Sequence, residues 1–151
     1  MTFIDSVKTC FKKILDIQGR ASRSEYWWFV LFVALVPTIV MFFLFFVVVL
    51  LGGENLADSN SFVILILLIS FGPAVVALTT VSVRRLHDLN KSGWYVAIYY
   101  ALDLIAILPV ISPTLSNILL WLSSGFYIYL TVIFMFKGSN KKNKYGSPIK
   151  L

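Results

Sequence analysis

The sequence predicts an all-α integral membrane protein, with four transmembrane helices preceded by an N-terminal amphipathic helix in a single domain. Apolar residues make up 59% of the 151 residues, and 13% are charged, against about 25% charged in a typical soluble domain. A chain of this length has no soluble core large enough to bury so much apolar surface, so lipid must be its solvent. The apolar residues form four runs, and all thirteen Lys and Arg residues lie outside them.

Residues 2–18 precede the first run, and their apolar and polar side chains recur at helical spacing. Thr2 and Asp5 form a capping pair at the start, and Gly19 is a stop signal. We predict an amphipathic helix that lies in the cytoplasmic interface of the membrane. The alternative is an ordinary packing helix, folded under the transmembrane bundle.

Each of the four apolar runs is long enough to cross a bilayer, which takes about 20 residues. The predicted spans are residues 27–51, 62–83, 94–111 and 115–136. The third run is the shortest, and at a helical rise of about 1.5 Å per residue it reaches roughly 27 Å. It also contains Asp103, so we expect it to depend on neighbouring helices for its insertion.

Local signals mark the ends of these spans. Ser22 and Glu25 form a capping box before the first span, and Ser112 with Pro113 suits the start of the fourth. Gly138 suits the C′ position after the fourth span. Three prolines are predicted to lie inside spans and to kink them: Pro37, Pro73 and Pro109.

The basic residues predict the orientation of the chain, because cytoplasmic loops carry an excess of Lys and Arg. The connections at residues 51–61 and 112–114 contain none, although the first contains Glu54 and Asp58. Both termini are therefore predicted to be cytoplasmic. The basic tail of residues 137–151 is expected to be loosely ordered.

Three segments carry a family resemblance: residues 19–28 (GRASRSEYWW), 84–94 (RRLHDLNKSGW) and 143–146 (NKYG). In order and spacing they resemble the bacterial inner-membrane family catalogued as domain of unknown function 805 (DUF805). The resemblance covers nearly the whole chain. It implies a multi-spanning protein of the bacterial inner (plasma) membrane, and it implies no established activity.

Polar residues at the cytoplasmic ends of the first two spans form the main candidate site. They are Arg20, Arg23, Glu25, Arg84, Arg85, His87 and Asp88. If the two helices are neighbours, these side chains meet at one membrane depth. One interpretation is a polar clasp of ion pairs that fixes the helix ends. The other is a binding site for the phosphate of a lipid or a soluble anion, with His87 as a proton carrier.

Asp103 is the one Asp, Glu, Lys, Arg or His residue inside a predicted span, and it lies about midway along the third. It indicates either a proton or cation path or a protonated carboxyl that is hydrogen-bonded between helices. The candidate hydrogen-bond partners are hydroxyl groups: Ser70, Thr79, Thr80, Tyr99, Tyr100, Ser123 and Ser124.

These features lead to three hypotheses of function. The first is a non-enzymatic scaffold or adaptor that binds anionic lipid headgroups or a partner through the Arg/His/Asp residues. The second is a small oligomeric transporter or channel that uses Asp103. The third, a lipid-modifying enzyme, lacks an identifiable nucleophile.

The expected partners are membrane lipids, above all anionic phospholipid, together with a second copy or another membrane protein. Nucleic acid is not expected, because the basic residues flank apolar runs and lie nearest to headgroups. No cofactor and no catalytic residue is assigned. One cysteine, Cys10, and one histidine, His87, give poor support for a metal site.

Overall fold

The structure is a computed structural model that describes residues 1–52, 60–147 and 149. Within these residues the fold is all-helical and has five α-helices: α1 Phe3–Lys12, α2 Arg23–Gly52, α3 Asn60–Asp88, α4 Trp94–Ala106 and α5 Pro113–Met135. Glu54 and Asp58, which carry the acidic charge of the first predicted external connection, lie outside the described residues.

Among the described helices, three are long and apolar enough to cross a membrane: Arg23–Leu50, Phe62–Asp88 and Pro113–Met135. Large apolar side chains along them are exposed, and Phe42 and Phe43 are each 64% exposed. Such surface is stable in lipid and costly in water. Pro37 and Pro73 lie inside α2 and α3 as predicted. The chain is therefore a helical membrane protein.

The third predicted span differs from the prediction. Helix α4 has 13 residues, which span about 20 Å and fall short of the roughly 30 Å hydrocarbon core. It ends at Ala106, and the Leu108 amide then makes a turn-type bond to the Ile105 carbonyl at 3.1 Å. The physical reason is Pro109, which has no N–H and disfavours helical backbone in the residue before it. Pro109 therefore lies beyond the helix, and the prediction of a kink inside it is wrong.

Contacts divide the chain into two units, Met1–Asp16 with Ser24–Val81 and Ile17–Arg23 with Ser82–Leu151. In the first unit, α1 packs on the start of α2. The ring of Phe11 meets the ring edges of Phe29 and Phe32 at centroid distances of 5.6 and 5.5 Å. This aromatic packing gives α1 a fixed partner in the fold.

Helix α1 starts at the predicted cap, but it ends earlier than predicted. The Thr2 hydroxyl accepts from the Asp5 amide and donates to the Asp5 carboxylate at 2.6 Å. That hydrogen bond lowers the pKa of Asp5, because it stabilises the ionised form. The helix ends at Lys12, six residues before the predicted limit at residue 18, so Gly19 does not terminate it.

In the second unit, α4 and α5 form an antiparallel hairpin. Tyr95 stacks on Phe126 at 6.2 Å, and the Ser116 hydroxyl donates to the Ala106 carbonyl at 2.7 Å. Ser112 is the N-cap of α5, and Pro113 is its first residue, as predicted. The hairpin places the last turn of α4 beside the first half of α5.

Candidate functional site at the end of helix α3

The sequence RLHDLNK ends α3 with a Schellman motif. Asn90 has a left-handed φ of +57°. Its amide bonds to the His87 carbonyl at 3.0 Å, and the Lys91 amide bonds to the Leu86 carbonyl at 2.8 Å. Asparagine tolerates this conformation, and the two bonds satisfy carbonyls that a helix end leaves open. The last turn of α3 is thereby fixed, with His87 and Asp88 on it.

Gly93 brings the chain back against the same turn. A Cβ atom at this position would lie 2.7 Å from Cγ1 of Val83, closer than side chains approach. A residue with a side chain would push the backbone away from α3. Within the segment 84–94, Gly93 is therefore the residue that allows close packing at the start of α4.

The G-R-A segment that precedes α2 lies against the end of α3. The Ala21 amide donates to the Arg84 carbonyl at 3.0 Å. The Nδ1 atom of His87 lies 3.1 Å from the Gly19 carbonyl oxygen, and because that oxygen can only accept, Nδ1 carries the proton. The backbone of Gly19 takes a φ of +80°, which favours glycine. The structure therefore brings residues 19–21 against the last turns of α3.

Asp88 lies between two guanidinium groups. Nε of Arg20 donates to its Oδ1 atom at 2.9 Å, and Nη2 of Arg20 lies 2.8 Å from the same oxygen. Nη1 of Arg85 pairs with Oδ2. All three side chains are buried, so the carboxylate is compensated by two cations and the group keeps one net positive charge. We call Arg20, Arg85 and Asp88 the Arg–Asp–Arg cluster.

Arginines also bind the open carbonyls at the C-terminal end of α5. Nη2 of Arg85 donates to the carbonyls of Phe134, at 3.2 Å, and Phe136. Nη1 of Arg23 lies 3.5 Å from the Met135 carbonyl. Cations at this end of a helix are stabilised by its dipole. Arg85 thus joins the ends of α3 and α5, as the clasp interpretation requires.

The tail after α5 is hydrogen-bonded to the same cluster. Arg20 donates to the carbonyls of Ser139 and of Lys141, the latter at 3.0 Å. The Ser139 amide donates to the Asp88 carbonyl at 3.0 Å. Gly138 fits only because it has no side chain, since a Cβ atom there would overlap the Asp88 carboxylate. The expectation of a loosely ordered tail is wrong for residues 137–147. The prediction that Gly138 is the C′ residue is also wrong, because α5 ends at Met135 and its C-cap is Phe136.

The N-K-Y-G motif makes a tight turn that covers His87. Asn143 and Gly146 exchange two backbone hydrogen bonds of 3.1 Å each. Nδ2 of Asn143 donates to the His87 carbonyl at 2.8 Å. The ring of Tyr145 stacks on the imidazole at a centroid distance of 3.8 Å and an angle of 7°. Asn143 and Tyr145 were not among the predicted site residues, although both belong to the N-K-Y-G motif.

A cleft of about 290 Å³ opens beside the cluster. The described residues that line it are Arg20, Ser22, Arg23, Arg85, Asp88, Lys137, Gly138, Ser139, Asn140 and Ile149. Four of these are cationic and one is anionic. Arg20, Arg85 and Asp88 are buried, whereas Arg23 and Lys137 are exposed. The cleft is therefore a concave surface with excess positive charge.

Arg84 and Glu25 are predicted site residues that are not among the described residues lining the cleft. The Arg84 side chain is buried, and its backbone carbonyl binds Ala21. Glu25 belongs to the first unit, where it is buried and where the Cys10 thiol lies 3.9 Å from its carboxylate. In the part of the chain that is described, no three His, Cys, Asp or Glu side chains come together in a group able to hold a metal ion.

Asp103 lies in the last turn of α4, not midway along the third helix as predicted. It faces α5, where the Ser123 hydroxyl donates to its Oδ1 atom at 2.5 Å. Tyr99, one turn earlier, also hydrogen-bonds to Asp103. Of the other predicted partners, Thr79 donates to the Val75 carbonyl and Thr80 to the Ile14 carbonyl. A pocket of about 330 Å³ adjoins the carboxylate.

Comparison with known proteins gives one match. A family model described as "Protein of unknown function (DUF805)" matches residues 14–147. The match includes all three motifs, so the family resemblance is confirmed. No curated protein and no solved structure matches the chain.

Proposed function

The chain belongs to the DUF805 family, and from this premise we propose a multi-spanning membrane protein of the bacterial inner membrane that binds the phosphate group of anionic lipid headgroups. It acts as a non-enzymatic scaffold, and the binding surface is the cleft beside the Arg–Asp–Arg cluster. The observation that carries the proposal is the concentration of positive charge on a concave surface lined by residues before α2, at the end of α3 and after α5.

The proposed topology has four crossings and cytoplasmic termini. Helices α2, α3 and α5 cross as single helices. The third crossing is completed by α4 together with the apolar residues 107–111 that follow it. This arrangement is supported by the loops, because residues 92–136 contain no Lys or Arg while the cluster and the tail are basic.

Helix α1 is proposed to lie in the cytoplasmic interface. Its aromatic contacts with α2 account for one part of its surface, and apolar side chains remain outside them. Ile4 is 60% exposed, and Leu15, just after the helix, is 82% exposed. At the boundary between headgroups and acyl chains these side chains are buried in lipid.

The cleft suits a phosphate group because of how its charges are arranged. The Arg–Asp–Arg cluster is held by its own ion pairs and by backbone carbonyls, so it forms a rigid floor with net positive charge. Arg23 and Lys137 are exposed at the wall and supply the donors that a ligand meets. Planar guanidinium groups match phosphate oxygens in geometry as well as in charge.

The proposal is tested by titrating purified protein in neutral-lipid nanodiscs with a short-chain phosphatidylglycerol. A basic residue near the surface contributes about 1 kcal/mol to anionic-lipid binding, or roughly a fivefold change in affinity. We expect Arg23→Ala and Lys137→Ala each to weaken binding by about that factor, and the double variant by about twentyfold. Added salt should weaken wild-type binding in parallel.

Lys142→Ala is the matched control, because Lys142 is an exposed tail lysine that is not among the described residues lining the cleft. Its affinity should remain at the wild-type value. Equal losses in Lys142→Ala and Lys137→Ala, or unchanged binding in the double variant, would contradict the proposal.

A further inference from the structure

The second polar feature of the chain is the pocket at Asp103, between α4 and α5. Its polar and aromatic lining residues are Tyr99, Asp103, Ser123, Ser124 and Tyr127. Its volume of about 330 Å³ falls at the lower end of the range for small-molecule sites, which starts at roughly 300 Å³. It is large enough for a small organic molecule.

The hydrogen bonds that Asp103 accepts come from hydroxyl donors. The hydroxyls of Ser123 and Tyr99 both bond to the carboxyl group, and neither donor carries a positive charge. A carboxylate has about four acceptor positions, so these two bonds leave others open. No Lys, Arg or His occurs anywhere between Lys91 and Lys137, and no ion pair to Asp103 is described. A cation that pairs with this carboxylate therefore comes from outside the hairpin.

The rings beside the carboxylate favour a particular kind of cation. Two of them, Tyr99 and Tyr127, line the pocket, and their ring centroids are 5.7 Å apart. Tyrosine faces carry negative potential and attract ammonium groups at about 6 Å or less from the ring centre. Leu120 and Ile128 complete the lining with apolar surface. A ligand that fits has one ammonium group and a short hydrocarbon part.

A metal ion fits this pocket less well. Calcium takes six to eight oxygen ligands, and magnesium requires a near-octahedral set. The pocket offers one carboxylate and hydroxyl groups. Aromatic and apolar walls add nothing to metal coordination.

We infer that the pocket between α4 and α5 binds an organic cation of the alkylammonium class. The ammonium group pairs with the Asp103 carboxylate, and the alkyl group lies against the tyrosine rings and Leu120. This site is independent of the headgroup cleft and contains none of its residues.

Calorimetric titration of detergent-solubilised wild-type protein with n-butylammonium at pH 7.5 tests the inference. A titration into empty micelles gives the heat of partitioning into detergent, which is subtracted from the protein titration. n-Butanol, which has nearly the same shape and no charge, is the second probe. We expect saturable binding of butylammonium and at least tenfold weaker binding of butanol, a comparison that needs no variant. Absence of saturable butylammonium binding, or equal binding of the two probes, would overturn the inference.

Variants then locate the site. Asp103→Asn keeps an acceptor for Ser123 and should weaken butylammonium binding at least tenfold, whereas the exposed-residue control Asp5→Asn should not change it. Tyr127→Leu removes one ring and should weaken binding about threefold. Arg23→Ala tests the headgroup cleft and should leave butylammonium binding unchanged. Retained binding in Asp103→Asn would assign the cation to another place and defeat the inference.

Discussion

Asp88 and Asp103 both accept hydrogen bonds from other side chains, and their surroundings differ in burial and in the charge of their partners. Asp88 lies between the guanidinium groups of Arg20 and Arg85, with all three side chains buried. Asp103 is half-buried and receives hydroxyl groups from Ser123 and Tyr99. The chain supplies two cationic partners to the Asp88 carboxylate, and it supplies neutral hydroxyl donors to Asp103.

The difference separates structural charge from charge that is available to a ligand. A buried carboxylate with two cationic partners loses most of its capacity to attract a third charge, and removing either partner leaves an uncompensated buried group. Hydroxyl donors bring no charge, so Ser123 and Tyr99 do not act as counter-ions to Asp103. The Arg–Asp–Arg cluster therefore fixes the fold around the cleft, and the Asp103 pocket is open to an external cation.

The largest expected effect comes from removing a cation next to Asp88. Arg85→Ala leaves that carboxylate with one partner and opens the carbonyls of Phe134 and Phe136, which should cost about 3–5 kcal/mol. Thermal unfolding in detergent, followed by the circular dichroism signal of the helices, measures the loss of stability. Lys142→Ala should unfold like wild type, and a loss below about 1 kcal/mol in Arg85→Ala would show that the cluster is not structural.

A smaller loss is expected when the tail is displaced from Asp88. In Gly138→Ala the new methyl group overlaps the Asp88 carboxylate, and overpacking of this kind costs about 1–3 kcal/mol. Gly125→Ala is the matched control, because a Cβ at Gly125 meets no atom within 4 Å. The two unfolding midpoints should separate clearly, and equal midpoints would contradict the contact.

The stacked ring over His87 should contribute less. Tyr145→Ala removes an aromatic pair worth about 0.5–1.5 kcal/mol, and Tyr145→Phe keeps the ring and should retain most of that energy. Limited proteolysis after the tail lysines provides the readout, since loss of the stack exposes the 143–146 turn. If the Ala and Phe variants are cut at the same rate, the stack does not hold the tail.

The smallest effect is expected at Asp103, where the partner that is removed is neutral. Ser123→Ala deletes one hydrogen bond between α4 and α5, and such bonds in membrane proteins contribute about 0.6 kcal/mol on average. Ser124→Ala removes a hydroxyl that bonds within its own helix and should be closer to wild type. A loss in Ser123→Ala as large as that of Arg85→Ala would remove the distinction between the two carboxylates.

Much of the helical architecture was predictable from local sequence. Thr2 and Ser112 are caps because their side chains reach amides three residues later, a property of the local sequence alone. The early end of α4 was not predicted, although its cause was visible as Pro109. The residues on both sides of Pro109 are apolar, so they were predicted as one span. A hydropathy scale does not take account of the amide hydrogen that proline lacks.

The candidate site was predictable in part. Arg20, Arg23 and Glu25 were expected to meet Arg84, Arg85, His87 and Asp88, and of these the structure shows Arg20 paired with Asp88. Arg20 was expected in the site, but its bonds to the carbonyls of Ser139 and Lys141 were not. A tail that is rich in lysine and polar residues is predicted to be loosely ordered, because the partners that order it are distant in sequence: Arg20 is 121 residues from Lys141, and His87 is 56 residues from Asn143.

The sequence by itself determined that this is a helical membrane protein, where its three long apolar helices lie, where its positive charges lie relative to the apolar runs and which family it belongs to, because each of these depends on composition, period and local motifs. Only the tertiary structure decided that Asp88 is shared by Arg20 and Arg85, that Tyr145 covers His87, and that Ser123 is the partner of Asp103. These pairings are set by the three-dimensional approach of distant segments, and a carboxylate takes its role from the charges that reach it.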